Sequence, residues 1–396
     1  MNEQNQFELL HTPHLFFGSG EFKKIGTITK SIGSKILIVA SESVLKEKET
    51  KSLLLEKLQE NDLDFEMFFV QGEPEVEFID EGVDLALNLQ SDVILGIGGG
   101  SVIDAGKAIS GIAANGGSTQ DYMEIIGKGS KIIKEPIPFI AIPTTAGTGS
   151  EATKNAVILS KEHKIKTSIR STLLIPKIAL IDPQLMVSLP SNITASSGLD
   201  ALTQLIESYT SIKSQPITDS LALLGIQKIT ESLLRAFEEG LDITARSDMA
   251  LAAYLSGICL TNAGLGAVHG FAGSIGGLLG IPHGVICGAL LAPTIEQNIK
   301  QMISQVPYHP QLQKYATLGE SVSGLIFDDI RESVSNLIGF LKNITSILQI
   351  PKLSKFGLKF EEFSKIIENT KKSSSMKYNP IQLKDQQLEA ILQQVL

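Results

Sequence analysis

The sequence predicts a two-part chain: an α/β domain built on a parallel sheet over residues 1–190, then an all-helical domain over residues 191–396. Three observations carry this. Short apolar runs alternate with helix-periodic segments through the first half. Strand signals nearly vanish after Pro190. The 396 residues also exceed the size at which one hydrophobic core usually stops growing.

Residues 35–40 (Lys-Ile-Leu-Ile-Val-Ala) are a β-branched run, and residues 43–59 follow with helical periodicity and mixed charge. Residues 65–70 read as a strand and 78–90 as a helix. Residues 92–97 are again a strand, 101–114 a helix, and 138–142 a further apolar strand. The last strand, residues 179–181, is stopped by Pro183. These strands are apolar nearly throughout instead of alternating, as expected when helices cover both faces of a parallel sheet. Beyond Pro190, residues 194–210, 217–239, 247–261 and 328–349 carry the clearest helical patterns. The tail around Lys371 to Ser375 reads as a polar loop before a last helix.

The net charge of −9 argues against a general nucleic-acid partner, which needs a concentrated basic surface. The N-terminal residues MNEQNQFELL lack a basic region followed by an apolar run, so no secretory signal is expected. Residues 249–295 contain no Asp, Glu, Lys or Arg, but glycines and Pro282 interrupt them and they hold two histidines. Buried helices and turns around a site are expected there, not a membrane segment. Cys259 and Cys287 both sit in apolar, Gly-rich surroundings, and the expectation is two buried small hydrophobes in a reducing, cytoplasmic setting.

Two glycine turns carry chemistry. Residues 92–97 run into Gly98-Gly99-Gly100-Ser101 and then a helix, so backbone N–H groups and a helix N-terminus meet where ligands bind in parallel sheets. Ser101 stands where a dinucleotide fingerprint has its third glycine, and Ala108 follows Gly106-Lys107 where a P-loop needs Ser or Thr, so neither motif is complete. The segment from Pro143 to Glu151 (PTTAGTGSE) also follows a strand, with hydroxyls suited to a ribose and pyrophosphate. Together the two turns point to a phosphate-bearing ligand more strongly than either alone.

Asp200 and Gln204 lie four apart on one helical face, and His269 and His283 each precede a glycine in the charge-free stretch. One carboxylate, one amide oxygen and two imidazoles suit a divalent ion such as Fe2+ or Zn2+ without thiolates. On spacing alone, hydrogen-bonded core histidines are the stronger of the two readings. His11, His14, His163 and His309 receive no role.

At this point the residues resemble a known family. Gly98 to Ala108, Pro143 to Glu151, Ile181-Asp182-Pro183, Gly198 to Thr203 and Asn262 to Gly270 together are similar to the iron-containing (group III) alcohol dehydrogenases, in order and at family-like spacing over about residues 10–300. The resemblance implies a Rossmann-like N-terminal domain, a helical C-terminal domain in a dehydroquinate synthase-like architecture, and NAD or NADP in the cleft between them. Carried over by position, Gly99, Gly100 and Ser101 would hold the cofactor's pyrophosphate, and Gly98 and Asp104 would also be cofactor-binding. Ser41 would sit at the adenosine ribose, and Thr144, Thr145, Thr148, Asn155, Lys166 and Leu180 would line the nicotinamide and its ribose. Asp200, Gln204, His269 and His283 fall on the four metal-ligand positions, with Asp200, His269 and His283 central to catalysis. The implied reaction moves a hydride between the cofactor and a small alcohol or aldehyde whose oxygen is polarised by the metal. The implied assembly is a homodimer.

Three departures from the family pattern matter. Gln204 replaces a usual His, a neutral and weaker donor. Gly273 stands where a further His usually serves proton exchange, and Ser41 replaces the acidic residue that holds the adenosine 2′-OH, which admits NADP. Other readings are therefore kept: a metal-independent keto-acid (maleylacetate-type) reductase, a cyclase or lyase of the dehydroquinate-synthase type, and a nucleotide-binding sensor that has lost catalysis.

Overall fold

A computed structural model describes residues 6–163, 165–305 and 309–396, so the first five residues of the N-terminal stretch lie outside the described chain. The chain divides into two compact units. One comprises residues 10–189 and 240–250; the other comprises 190–239 and 251–396 with the short N-terminal stretch through Leu9. The return of residues 240–250 to the first unit has a local cause. The Arg246 guanidinium donates to the carbonyls of Gly240 and Leu189, a long-range tie that no linear boundary contains.

The first unit runs β1 (His14–Phe17), α1 (Ile25–Lys30), β2 (Lys35–Ser41), α2 (Glu42–Lys46), α3 (Lys48–Gln59), β3 (Asp64–Val70) and α4 (Val76–Leu89). It continues with β4 (Val93–Gly98), α5 (Gly100–Asn115), α6 (Thr119–Tyr122), β5 (Phe139–Pro143), β6 (Asn155–Ser160), β7 (Ile165–Arg170) and β8 (Ile178–Ile181). Six strands form one parallel sheet in the order β1-β8-β5-β4-β2-β3. Successive side chains alternate between its faces. Ile36, Ile38, Val93, Leu95 and Ile97 pack with Leu54 and Leu58 of α3, while Leu37, Val39 and Ile94 pack with Ile79, Ile103 and Ile109 of α4 and α5. Both faces are thus dry, which is why the strands read as continuous apolar runs. The strand order changes direction at β2, with β3 on one side and β4 on the other. The carboxyl ends of β2 and β4 therefore form a topological switch point, the position where open α/β sheets bind ligands.

Two local features differ from the sequence expectation. The helix expected over residues 43–59 is two helices, α2 and α3, broken at Glu47, whose backbone is extended. Its carboxylate is engaged by the hydroxyls of Thr50 and Ser188. The antiparallel hairpin of β6 and β7 was not foreseen, because its strands lie outside the main sheet and alternate between buried and half-buried positions.

The second unit is helical: α7 (Ser191–Thr210), α8 (Pro216–Glu238), α9 (Ile243–Ala263, of which residues through Ala250 group with the first unit), α10 (Ala267–Leu279), α11 (His283–Gln305) and α12 (Pro310–Ser323). α13 (Ile330–Ile347), α14 (Phe363–Lys372) and α15 (Asp385–Gln394) complete it. Its apolar centre joins α10, α11, α14 and α15 through Phe271, Ile275, Ile286, Leu290, Ile366 and Leu388. The charge-free stretch forms the end of α9, all of α10 and the start of α11. Between α9 and α10 the chain bends by 101°, with Gly264 at φ +75° making the turn. Among the described residues no single helix is long and apolar enough to cross a membrane.

Candidate active site

One candidate site is the carboxyl edge of the sheet. β4 ends at Gly98, which pairs with Pro143 of β5, and the Thr144 N–H donates to the Gly98 carbonyl at 2.9 Å. This places the two glycine turns side by side. Gly99 precedes α5 with extended backbone, and no side chain caps the helix. A 16-residue helix thus opens toward the edge with uncapped N–H donors and partial positive charge. The side chain of Thr145 lies beside Gly99, and that of Thr148 lies against Gly100 so closely that a β-carbon there would come within 2.7 Å of Cγ2. Ser41, at the end of β2, shares a hydroxyl contact of 3.1 Å with Ser43, while the neighbouring Glu42 pairs with Lys46 and accepts from Gln71. The structure therefore brings Ser41, Gly98, Gly99, Gly100, Ser101, Thr144, Thr145 and Thr148 to one sheet edge.

Other carried-over positions serve as supports. Asp104 on α5 accepts from the Ser150 hydroxyl through one oxygen and from the Val157 N–H at 3.0 Å through the other, and it pairs with Lys107 at 3.0 Å. With both oxygens engaged, it ties α5 to the second glycine turn instead of offering a free group. Lys107 is fully buried, and its ammonium donates to the Ser150 carbonyl, the Thr153 hydroxyl and the Asn155 carbonyl. This lysine is a brace for the loop and has no reach toward a phosphate, consistent with the incomplete P-loop pattern. Lys166 on β7 pairs with Glu73 at 2.8 Å. Leu180 stands apart from the edge, its side chain fully buried in the sheet core among Ile140 and Ile178.

Glu151, beside that brace, is 3% exposed, and burial pushes its carboxyl up to about 7 despite the nearby Lys107. A carboxyl raised on folding keeps its proton in the native state. Its stabilising contribution is complete below about 4.5 and is lost as pH rises through about 7. Over that window the loss amounts to about 3 kcal/mol. Glu151→Gln should remove this slope: denaturant titrations at about pH 4 and about pH 8 should show the variant gaining on the wild type at the higher pH.

A second candidate site lies within the helical unit. Asp200 on α7, His269 on α10, and His283 and Cys287 on α11 offer one donor atom each, all four within 4.8 Å of one another. Asp200 Oδ1 is 3.4 Å from His269 Nε2 and 3.6 Å from His283 Nε2. It is buried and has no hydrogen-bond partner. Glu207, two turns along α7 from Asp200, explains how His269 is aimed. One carboxylate oxygen accepts the Val268 N–H at 2.7 Å, and the other contacts His269 Nδ1 at 2.6 Å. Gly266 makes this approach feasible, since a β-carbon there would come within 2.9 Å of Glu207 Oε1. With Nδ1 held by Glu207, Nε2 of His269 faces Asp200, as in the carboxylate–histidine pairs that orient metal ligands.

The electrostatics fit a cation. Burial alone would raise the Asp200 carboxyl, but His283 and His269 outweigh it and hold it below the ordinary carboxylate range. Burial alone would lower both imidazoles, yet Cys287 and Asp200 push His283 up to about 9 and His269 well above its usual value. An orphaned buried carboxylate oxygen facing two oriented imidazoles is the arrangement a divalent ion satisfies, so these residues fit one.

Sequence reasoning missed two of these residues. Cys287 was expected to be an inert hydrophobe, but its Sγ lies 3.6 Å from His283 Nε2 and 3.8 Å from His269 Nε2. The His-x-x-x-Cys spacing on one helix was the available signal. Glu207 could have been found from its seven-residue spacing after Asp200. Gln204 is buried one turn after Asp200, and its amide oxygen accepts from the Ser256 hydroxyl at 2.9 Å. Phe271 and Ile275 of α10 belong to the apolar centre of the helical unit. At Gly273 a β-carbon would meet nothing within 4 Å. His163 contacts Ser160, and His309 caps α12, so neither joins the cluster.

A nucleotide-type sheet edge and a carboxylate–imidazole metal shell define a metal-dependent, nicotinamide-dependent dehydrogenase class. Comparison with known proteins agrees. Residues 12–183 match the model of iron-containing alcohol dehydrogenase, and residues 194–396 match that of the Fe-containing alcohol dehydrogenase family, C-terminal. Alcohol dehydrogenase 4 of Saccharomyces cerevisiae is 35% identical over 382 residues, 96% of each chain. The NAD-dependent methanol dehydrogenase of Bacillus methanolicus is 33% identical, over 93% of this chain and 94% of its own. The crystal structure of a 1,3-propanediol oxidoreductase superposes with a TM-score of 0.91 at 30% identity, over 99% of this chain and 100% of that one. The chain belongs to the iron-containing alcohol dehydrogenase family. Its activity is NAD(P)-dependent, metal-dependent oxidoreduction of alcohols, and the metal-independent keto-acid reductase reading is not favoured.

Proposed function

We propose the following division of labour. The N–H groups of Gly99, Gly100 and Ser101 hold the cofactor's pyrophosphate at the α5 N-terminus, and the hydroxyls of Thr145 and Thr148 flank it. Neutral Ser41, with Glu42 drawn toward Lys46 and Gln71, leaves room for either NAD or NADP. Asp200, His269 and His283 hold a divalent ion, Fe2+ or Zn2+, and Gln204 offers at most a neutral amide oxygen already bonded to Ser256. When bound, the ion supplies Lewis acidity to the alcohol or carbonyl oxygen, and the nicotinamide ring supplies or accepts the hydride. Glu207 keeps His269 in the tautomer whose Nε2 is free. Small alcohols and aldehydes are the substrates. The reading extends to a homodimer, and to the cytoplasm on the strength of two free buried cysteines.

One observation carries this reading: Asp200 Oδ1, buried with no hydrogen bond and facing two imidazole nitrogens at 3.4 and 3.6 Å. Exhaustive chelation should abolish alcohol turnover while NADH and NADPH binding, followed by fluorescence, persists. Adding back Fe2+ or Zn2+ should restore turnover. Full activity in protein with no detectable metal would overturn it.

A further inference from the structure

We propose that Cys287 binds the ion as a thiolate and completes the shell of Asp200, His269 and His283. This rests on the reading that those three residues hold a divalent ion. His283 opens α11 and Cys287 follows four residues later, so both side chains leave one face of the helix, toward Asp200. A tetrahedral ion with N and O bonds of about 2.0–2.1 Å and an S bond of about 2.3 Å separates nitrogen from oxygen by about 3.4 Å and nitrogen from sulfur by about 3.6 Å. The corresponding separations here are 3.4 and 3.6 Å for nitrogen to oxygen, and 3.6 and 3.8 Å for nitrogen to sulfur. These four separations stand close to ligand spacing, and all four donors lie within 4.8 Å of one another.

Charge and chemistry agree with the geometry. A thiolate and a carboxylate, both on buried residues, neutralise a divalent ion, which an amide oxygen does not do. Gln204 has its oxygen on Ser256, whereas Cys287 Sγ faces the two imidazoles. The other cysteine supplies an internal contrast: Cys259, equally buried, has its sulfur on the Thr218 carbonyl, and burial pushes its thiol up to about 12. A metal ion takes cysteine only in its deprotonated form, so loading is expected to release protons to solvent.

Cobalt(II) is the probe. The full-length chain loaded with cobalt should show a thiolate-to-cobalt charge-transfer band in the near-ultraviolet. Cys287→Ser should lose the band while still binding cobalt, and Gln204→Ala should keep it. Stoichiometric cobalt with no such band, or the same band in Cys287→Ser, would overturn the thiolate and leave the three-residue reading intact. A wild-type chain that binds no cobalt, indistinguishable from Asp200→Ala, would overturn both. X-ray absorption of the zinc-loaded wild type needs no variant: one sulfur at about 2.3 Å is expected, and a shell of nitrogen and oxygen alone would count against the proposal.

Discussion

Asp200→Ala should leave a folded protein that binds NADH and turns over essentially no alcohol. Asp200 is the donor toward which both imidazoles point, and its Oδ1 has no other partner. Removing it deletes the anionic centre of the shell without touching the sheet edge, which belongs to the other compact unit. Lewis-acid assistance is worth several kcal/mol, and about 4 kcal/mol corresponds to roughly 1000-fold in rate. Elemental analysis of the purified variant should find no metal, and steady-state assays should show a loss of at least about that size in kcat/KM. Glu207→Gln should be milder, since it removes the group that orients a ligand and keeps the ligand itself. A loss of about 10- to 100-fold in metal affinity is expected from such a change. Equal collapse of NADH binding in Asp200→Ala would contradict the separation of roles.

Much of this was legible in the sequence because it depends on local periodicity. The apolar runs at β2, β4 and β5 and the glycines after β4 are local signals, and each marks an element that the structure contains. The metal shell was only half legible. Asp200, His269 and His283 stand out as polar groups in apolar surroundings, but spacing alone could not separate them from satisfied core histidines. What spacing could not show is tertiary: the bend at Gly264 just before His269, and the Glu207 carboxylate 2.6 Å from its Nδ1. Cys287 was hidden because a buried cysteine in a Gly-rich helix has the same local signature whether its sulfur faces leucines or imidazoles. Lys107 is a different case. The missing Ser or Thr after it already argued against a P-loop, but only the fold shows that backbone carbonyls take its ammonium.

Gly99→Ala should separate the ligand's demand for glycine from the fold's. Gly99 has ordinary extended backbone, φ −77° and ψ −174°, which any residue adopts. A β-carbon there would sit 3.4 Å from Thr145 Cγ2, an ordinary contact, so the fold itself does not require glycine. Stability should therefore change by no more than about 1 kcal/mol. If the pyrophosphate rests on this turn, the same methyl stands in its way, and Gly99→Val blocks it further. Losing one charge-assisted hydrogen bond to phosphate costs about 1.5–3 kcal/mol, so the Kd for NADH and NAD should rise about 10- to 100-fold, with metal content unchanged. Gly100→Ala is the control in which both properties fail. Its β-carbon would come within 2.7 Å of Thr148 Cγ2 and 3.2 Å of Thr148 Cβ, forcing the turn apart at a cost of about 1–3 kcal/mol. Gly99→Ala binding both cofactors as tightly as the wild type, with Gly100→Ala merely unstable, would move the phosphate site away from α5.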